Sequence, residues 1–447
     1  MSGFKFKQLI FCLCALIVLV SCSTVEDVFG DEKEAPLEGE RISILELQRN
    51  LEPDSAALEG QGFIAPAAWR NEFWPQAGGY PNHAMQHLIL EGKDLKLAWE
   101  TKIGKGSTDK LPLTAQPIIV DGRIFTLDTD ANLRAFDARN GEEVWEMDVR
   151  DPDEDDPVIS GGISYSRGIL YVTNGYDEML MIKPQNGELI KRIPLPSPSR
   201  AAPTIMDSRV FVSTLDNRLI ALDSETGQVL WEFSGITESA GLVGAASPAA
   251  SREVVVPAFS SGEIFALRVE NGSVAWSENL SSFKRTGGLA GISDIRGLPV
   301  IDKGLVVAIS FGGKIAAIDE RTGTRIWQRE IGGSETPWIA GNHLFVISSE
   351  NELVALGRDN GVIRWVTILP RYKDMADRKG PIFWTGPVLA GDRLILASTH
   401  GKVAEINPVD GKVMNEIDVD GTIRLSPVVA GNTLYLLSED GTLMAYR

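Results

Sequence analysis

The chain has 447 residues, of which 43% are hydrophobic and 23% charged, and a formal net charge of −18. That composition is globular rather than disordered. The acidic balance argues against a nucleic-acid partner and against docking on anionic lipid through charge.

In chain order, the first segment is a leader, residues 1–21. Lys5 and Lys7 precede an apolar run from Leu9 to Val20, then Ser21-Cys22. A charged start, a short apolar core and a small residue before the cut make a secretory signal, and the run is too short for a comfortable membrane span. Leu19-Val20-Ser21-Cys22 has the form of a bacterial lipobox, so Cys22 is the expected lipidation site. Cys12 and Cys14 fall in the discarded part, and the single cysteine that remains cannot form an internal disulfide. Several acyl chains on one residue hold a protein stably on a membrane. Ser23 follows, which favours the periplasmic face of the outer membrane.

Residues 22–60 read as an acidic tether. Between Glu26 and Gly60 there are eleven acidic and three basic residues, a composition that stays solvated. Residues 61–94 read as a loop-like lead-in with Trp69 and Trp74 available to pack against the body. His83 and His87 lie four apart and would share a helix face. With no third ligand candidate nearby, they read as surface or packing histidines rather than a zinc site.

The remainder, residues 95–447, is one repeated unit. Ala221–Trp231 (ALDSETGQVLW) ends a strand, turns at Glu225-Thr226-Gly227 and begins the next strand. The frame recurs at 135–145, 266–276, 317–327 and 355–365, with degenerate copies at 181–191 and 405–415. The turn glycines from Gly141 to Gly411 have a mean spacing of 45 residues, the period of a propeller blade built from four short strands. Each glycine follows Asn, Thr or Asp, where a tight hairpin needs a positive φ. The tryptophan four residues on opens the outer strand and covers the gap between blades. Leu95–Gly104 ends like a last strand but has no blade in front of it, and Ser426–Arg447 supplies three strands and no fourth. The expected fold is therefore all-β: an eight-bladed β-propeller of four-stranded antiparallel blades, closed by the N-terminal strand joining the C-terminal blade, which removes two exposed sheet edges.

Two connections are long, 235–247 and 280–299, both rich in Gly, Ala and Ser and both ahead of an inner strand. They belong to consecutive blades and should be neighbours on one face, where function usually sits. A third insert, 371–384, is basic and aromatic. No catalytic set is evident: no nucleophile elbow, no phosphate-cradling loop and no metal-ligand cluster.

The Ala-x-Asp-x-x-Thr-Gly-x-x-x-Trp stretches at 221–231 and 317–327 resemble the repeat of quinoprotein propellers. Dehydrogenases of that fold bring adjacent paired cysteines, calcium and a catalytic carboxylate. The paired cysteines are absent here. A lipoprotein made only of eight such blades is similar to the lipoprotein family of the outer-membrane β-barrel assembly machinery. The similarity runs from Ser21 to Arg447 in layout and is strongest over the repeats and Asp440-Gly441-Thr442-Leu443. It implies a non-enzymatic scaffold with no cofactor, held in a hetero-complex as a single copy. Its two long inserts would dock on the periplasmic POTRA domains of BamA, the barrel-insertion protein, and unfolded outer-membrane proteins are further candidate partners. Carried over position by position, Leu242 matches a contact leucine and Asp294 the first of two contact aspartates. Val243 stands where an arginine is usual and Arg296 where the second aspartate is usual. The alternatives are a quinone-dependent periplasmic oxidoreductase and a propeller lipoprotein with a different periplasmic partner.

Overall fold

A computed structural model describes residues 51–54, 62–92, 94–154, 156–237, 244–281 and 294–447. Cys22, Leu242 and Val243 lie outside the described residues. Residues 52–447 form one compact unit.

Eight four-stranded antiparallel sheets make up the body, an eight-bladed β-propeller. In chain order, blades 1 to 7 span residues 118–148, 162–194, 204–234, 249–279, 300–329, 338–368 and 384–418. Blade 8 takes its three inner strands from 428–446 and its outer strand from Leu97–Lys102, which pairs antiparallel with Thr442–Tyr446. Lys102 Nζ ties this seam, donating to the Asp440 carboxylate and to Thr442 Oγ1, each at 2.7 Å. Most inner strands, such as Ile118–Val120, are buried throughout. The outer strands, such as Val229–Ser234, alternate between exposed and half-buried. Alternation of that kind marks a sheet edge with one face against its neighbour.

The register explains the repeated residues. In seven blades a bulge interrupts the pairing of the third and fourth strands at the same place. It sets each repeat tryptophan directly opposite the repeat alanine: Ala135 against Trp145, Ala221 against Trp231, Ala266 against Trp276, Ala317 against Trp327, Ala355 against Trp365. A small residue leaves room for the ring, which then lies across the neighbouring blade's turn. Trp231 packs on Gly272, Trp276 on Gly323, Trp327 on Gly361 and Trp365 on Gly411. Each indole N–H also donates to a carbonyl of the next blade, Trp231 to Val269 at 3.0 Å and Trp276 to Glu320 at 2.7 Å. The turn glycine therefore answers two demands. At Gly272, φ is +71°, and a Cβ would stand 2.5 Å from the Trp231 ring. Ahead of the glycine, Asp223 Oδ1 accepts from the backbone N–H groups of Glu225 and Thr226 and from the Thr226 hydroxyl. Those bonds hold its carboxyl below the usual range, the Thr226 backbone N–H contributing most.

The lead-in does more than pack on the body. From Asn71 to Gly391 its hydrogen bonds visit the inner strands of all eight blades in ring order. The Asn71 side chain donates to Val429 of blade 8 at 2.9 Å. Trp74 exchanges both backbone bonds with Ile119 of blade 1, and the Pro75 carbonyl accepts from Tyr165 of blade 2. The Gln76 amide brackets Ile205 of blade 3, donating to its carbonyl at 3.0 Å and accepting from its N–H at 2.8 Å. The Pro81 and Asn82 carbonyls accept from Ala250 and Ile301 of blades 4 and 5. The Gln86 carbonyl accepts from the Trp338 indole of blade 6 at 2.8 Å, and Leu88 bonds to Leu389 and Gly391 of blade 7. Inner strands of a propeller present an unpaired edge to the central channel, and buried backbone groups there require partners. The lead-in supplies them at the end of the channel where the inner strands finish. Its own Trp74, Met85, Leu88 and Leu90 are buried in the core.

Candidate docking face and central funnel

Each inner strand starts at the opposite end of the channel, so every connection between blades reaches the centre on that face. The described ends of the connections 235–247 and 280–299 lie there, and they meet: a Cβ on Gly244 would lie 3.8 Å from Arg296 Nε. The third insert forms a hairpin, Tyr372–Asp374 paired with Lys379–Pro381, with Met375 exposed at its tip. Ile236, Ile368 and Phe383 are also exposed around this rim, and Arg424 stacks over the Phe383 ring at 4.8 Å.

Of the residues singled out in the sequence, Asp294 and Arg296 are placed by the structure. Asp294 is 6% exposed, and its carbonyl accepts from Phe311 N–H at 2.9 Å. It is a buried support of the connection rather than a free surface charge. Arg296, two residues on, is half-buried and lines the central cavity.

That cavity holds about 150 Å³ and is closed at the far end by Trp74, Gly78 and His83 of the lead-in. The closure is tight, since a Cβ on Gly78 would stand 2.9 Å from both His83 Cδ2 and Leu298 Cδ1. The channel is thus a blind funnel, open toward the two long connections. His83 is 4% exposed. Its Nδ1 lies 2.7 Å from the Pro299 carbonyl, which can only accept, so Nδ1 carries the proton. Burial holds the imidazole neutral, lowering its pKa to about 4 against the smaller pull of the Pro299 bond. Its Nε2 is a bare acceptor with no partner. His87 Nδ1 is bonded in the same way, to the Pro66 carbonyl at 3.0 Å. Among the described residues no His, Cys, Asp and Glu cluster could hold a metal ion.

Apart from Arg296, the funnel's charged groups were not evident in the sequence. Arg200, Arg296 and Arg424 each lie four residues ahead of an inner strand, those beginning at Thr204, Val300 and Val428. They occupy one repeat position in blades 3, 5 and 8 and ring the cavity. A periodic reading of that position would have found them. Glu335 of blade 6 faces the same cavity, accepting from Thr385 Oγ1 at 2.7 Å. Burial pushes its carboxyl up, opposed by the charge of Arg296 and by the bonds from Thr385 and Gly386. Arg424 is partly satisfied by Glu439 at 2.7 Å.

With this geometry in place, comparison with known proteins decides the family. The model of the outer membrane protein assembly factor BamB family matches residues 82–155, 129–367 and 373–447. The chain belongs to that family. It is 24% identical over 354 residues to outer membrane protein assembly factor BamB of Yersinia pestis, covering 78% of this chain and 88% of the relative. It is 25% identical over 351 residues to the Escherichia coli factor, covering 77% and 87%. An uncharacterized protein of Rickettsia prowazekii is 28% identical over 345 residues, covering 74% and 82%. Among solved structures, BamB of Moraxella catarrhalis superposes with a TM-score of 0.68 at 18% identity, over 79% of this chain and all of the other. Quinohemoprotein alcohol dehydrogenase of Comamonas testosteroni reaches 0.63 at 13% identity, over 85% and 81%. At such identities the structural likeness establishes the propeller alone.

Proposed function

We propose that this BamB-family propeller is a non-enzymatic scaffold of the outer-membrane β-barrel assembly machinery. It is tethered through Cys22 to the periplasmic face of the outer membrane and docks on the POTRA domains of BamA. Family membership supports the assembly role. The observation that carries the docking face is the meeting of the two long connections at Gly244 and Arg296. Leu242 and Val243 immediately precede Gly244 in the sequence. A rigid ring that presents adjacent loops on one face suits a protein partner, since loops on a stiff scaffold are positioned without a large ordering cost. Val243 lacks the positive charge usual at its position and Arg296 reverses the negative charge usual at its own, so the contact pairs differ from those of better-known members, and a compensating change on the partner follows.

The test is photo-crosslinking from positions 242 and 296 in the native membrane, with the captured protein identified by mass. Capture of a BamA-type protein through its periplasmic domains is the expected result. Capture of a different periplasmic protein would retain the fold and discard the assembly role. A complex that forms unchanged after Leu242→Arg and Arg296→Asp together would overturn this face as the contact.

A further inference from the structure

Apart from Arg296, which also serves the docking reading, the funnel holds chemistry that docking does not use. It is blind, because the lead-in closes one end, and a volume of about 150 Å³ accommodates about five waters or the bulk of one residue. In a chain of net charge −18, the charged residues lining this cavity among the described residues are Arg200, Arg296, Arg424 and Glu335. The three guanidinium groups come from one repeat position, so they converge on the ring axis from different blades. Two carboxylates answer them, Glu335 within the cavity and Glu439 behind Arg424. On the floor, His83 Nε2 is a buried acceptor without a donor. Leaving such an atom unpaired is costly, and native interiors seldom do so without a ligand or a functional reason.

We infer that the funnel is a binding site for a carboxylate carried on a peptide, with Arg200 and Arg296 holding the carboxylate and His83 Nε2 accepting an N–H or O–H of the same segment. Guanidinium groups suit this ligand because their fixed fork matches the two carboxylate oxygens. The apolar walls, Trp74, Leu298 and Trp338, exclude water from the contact and strengthen it. The cavity admits one residue at a time, so the segment enters as an end or as a single acidic side chain. The inference does not depend on which protein docks at the rim.

The experiment uses the full-length chain purified from membranes and three probes, with binding read by calorimetry up to millimolar peptide. The first probe is acetyl-trialanine with a free terminal carboxylate. The second is its terminal amide. The third is an acetylated, amidated tripeptide with a central glutamate. Binding of the first or third, at least about tenfold tighter than the amide, is expected, the factor that a charge-assisted hydrogen bond carries. Whichever binds identifies a chain terminus or a side chain as the source. Arg200→Gln and Arg296→Gln should each weaken binding about tenfold, while Arg139→Gln, at an exposed turn on the opposite face, should leave it unchanged. Binding of the amide as tightly as of both carboxylate probes, undiminished binding in both arginine variants, or no binding of any probe would overturn the inference. Since no partner protein is present, failure here leaves the crosslinking result standing, and the reverse also holds.

Discussion

Trp74→Ala is the most informative perturbation of the fold, because it tests whether the lead-in belongs to the cooperative unit. Trp74 is 1% exposed and sits where the lead-in enters blade 1. Its indole donates to Gln116 Oε1 at 3.2 Å, and the same oxygen accepts from Gly78 N–H at 3.0 Å. Truncation removes the transfer free energy of the ring and leaves a cavity, which together cost about 3–5 kcal/mol for a buried tryptophan. The backbone bonds with Ile119 survive, so the loss is one of packing. With an unfolding entropy of about 2.1 cal/mol/K per residue over about 400 residues, the slope is about 0.8 kcal/mol per degree. The expected fall in Tm is therefore about 4–6 °C, measured by calorimetry, with a single transition retained. A shift under about 1 °C would refute the claim that the lead-in is part of the folded ring. A new low-temperature transition would show that it unfolds by itself.

Three further outcomes follow from the same contacts. Gly272→Ala should cost more than Gly122→Ala in urea unfolding, by about 1–3 kcal/mol. Both have positive φ, but only Gly272 would drive a Cβ into the Trp231 ring, while Gly122 has nothing within 4 Å. Stability should fall as pH drops from about 6.5 to about 4, because unfolded His83 takes up a proton that the buried imidazole refuses until about pH 4. The contribution is fully present above pH 6.5, is on the order of 3 kcal/mol, and should shrink in His83→Gln, as followed by Tm against pH. Glu405→Gln should destabilise by about 3–5 kcal/mol, since it strands Arg393, whose Nε lies 2.6 Å from Glu405 Oε1 with both side chains buried. Replacing both by apolar residues of similar volume should recover most of that loss in thermal unfolding.

What the sequence determined by itself was the repeat and the architecture that follows from it. Turn chemistry and strand patterning are local, so Glu225-Thr226-Gly227 and its copies give the blade, its strand count and the ring of eight. The rim was legible as well, because two inserts ahead of consecutive inner strands must emerge side by side. The tertiary structure decided what depends on contacts between distant residues. The bulge sets Trp231 opposite Ala221 within one blade, and the Gly272 turn that receives the ring belongs to the next blade. The lead-in carried no periodic signal, yet its carbonyls and amides find every inner strand in turn, because those edges are in need of partners and only the closed ring brings them together. Likewise Arg200, Arg296 and Arg424 are far apart in sequence and converge only on the axis. Asp294 has the look of a surface charge in the sequence, but the path of its connection buries it.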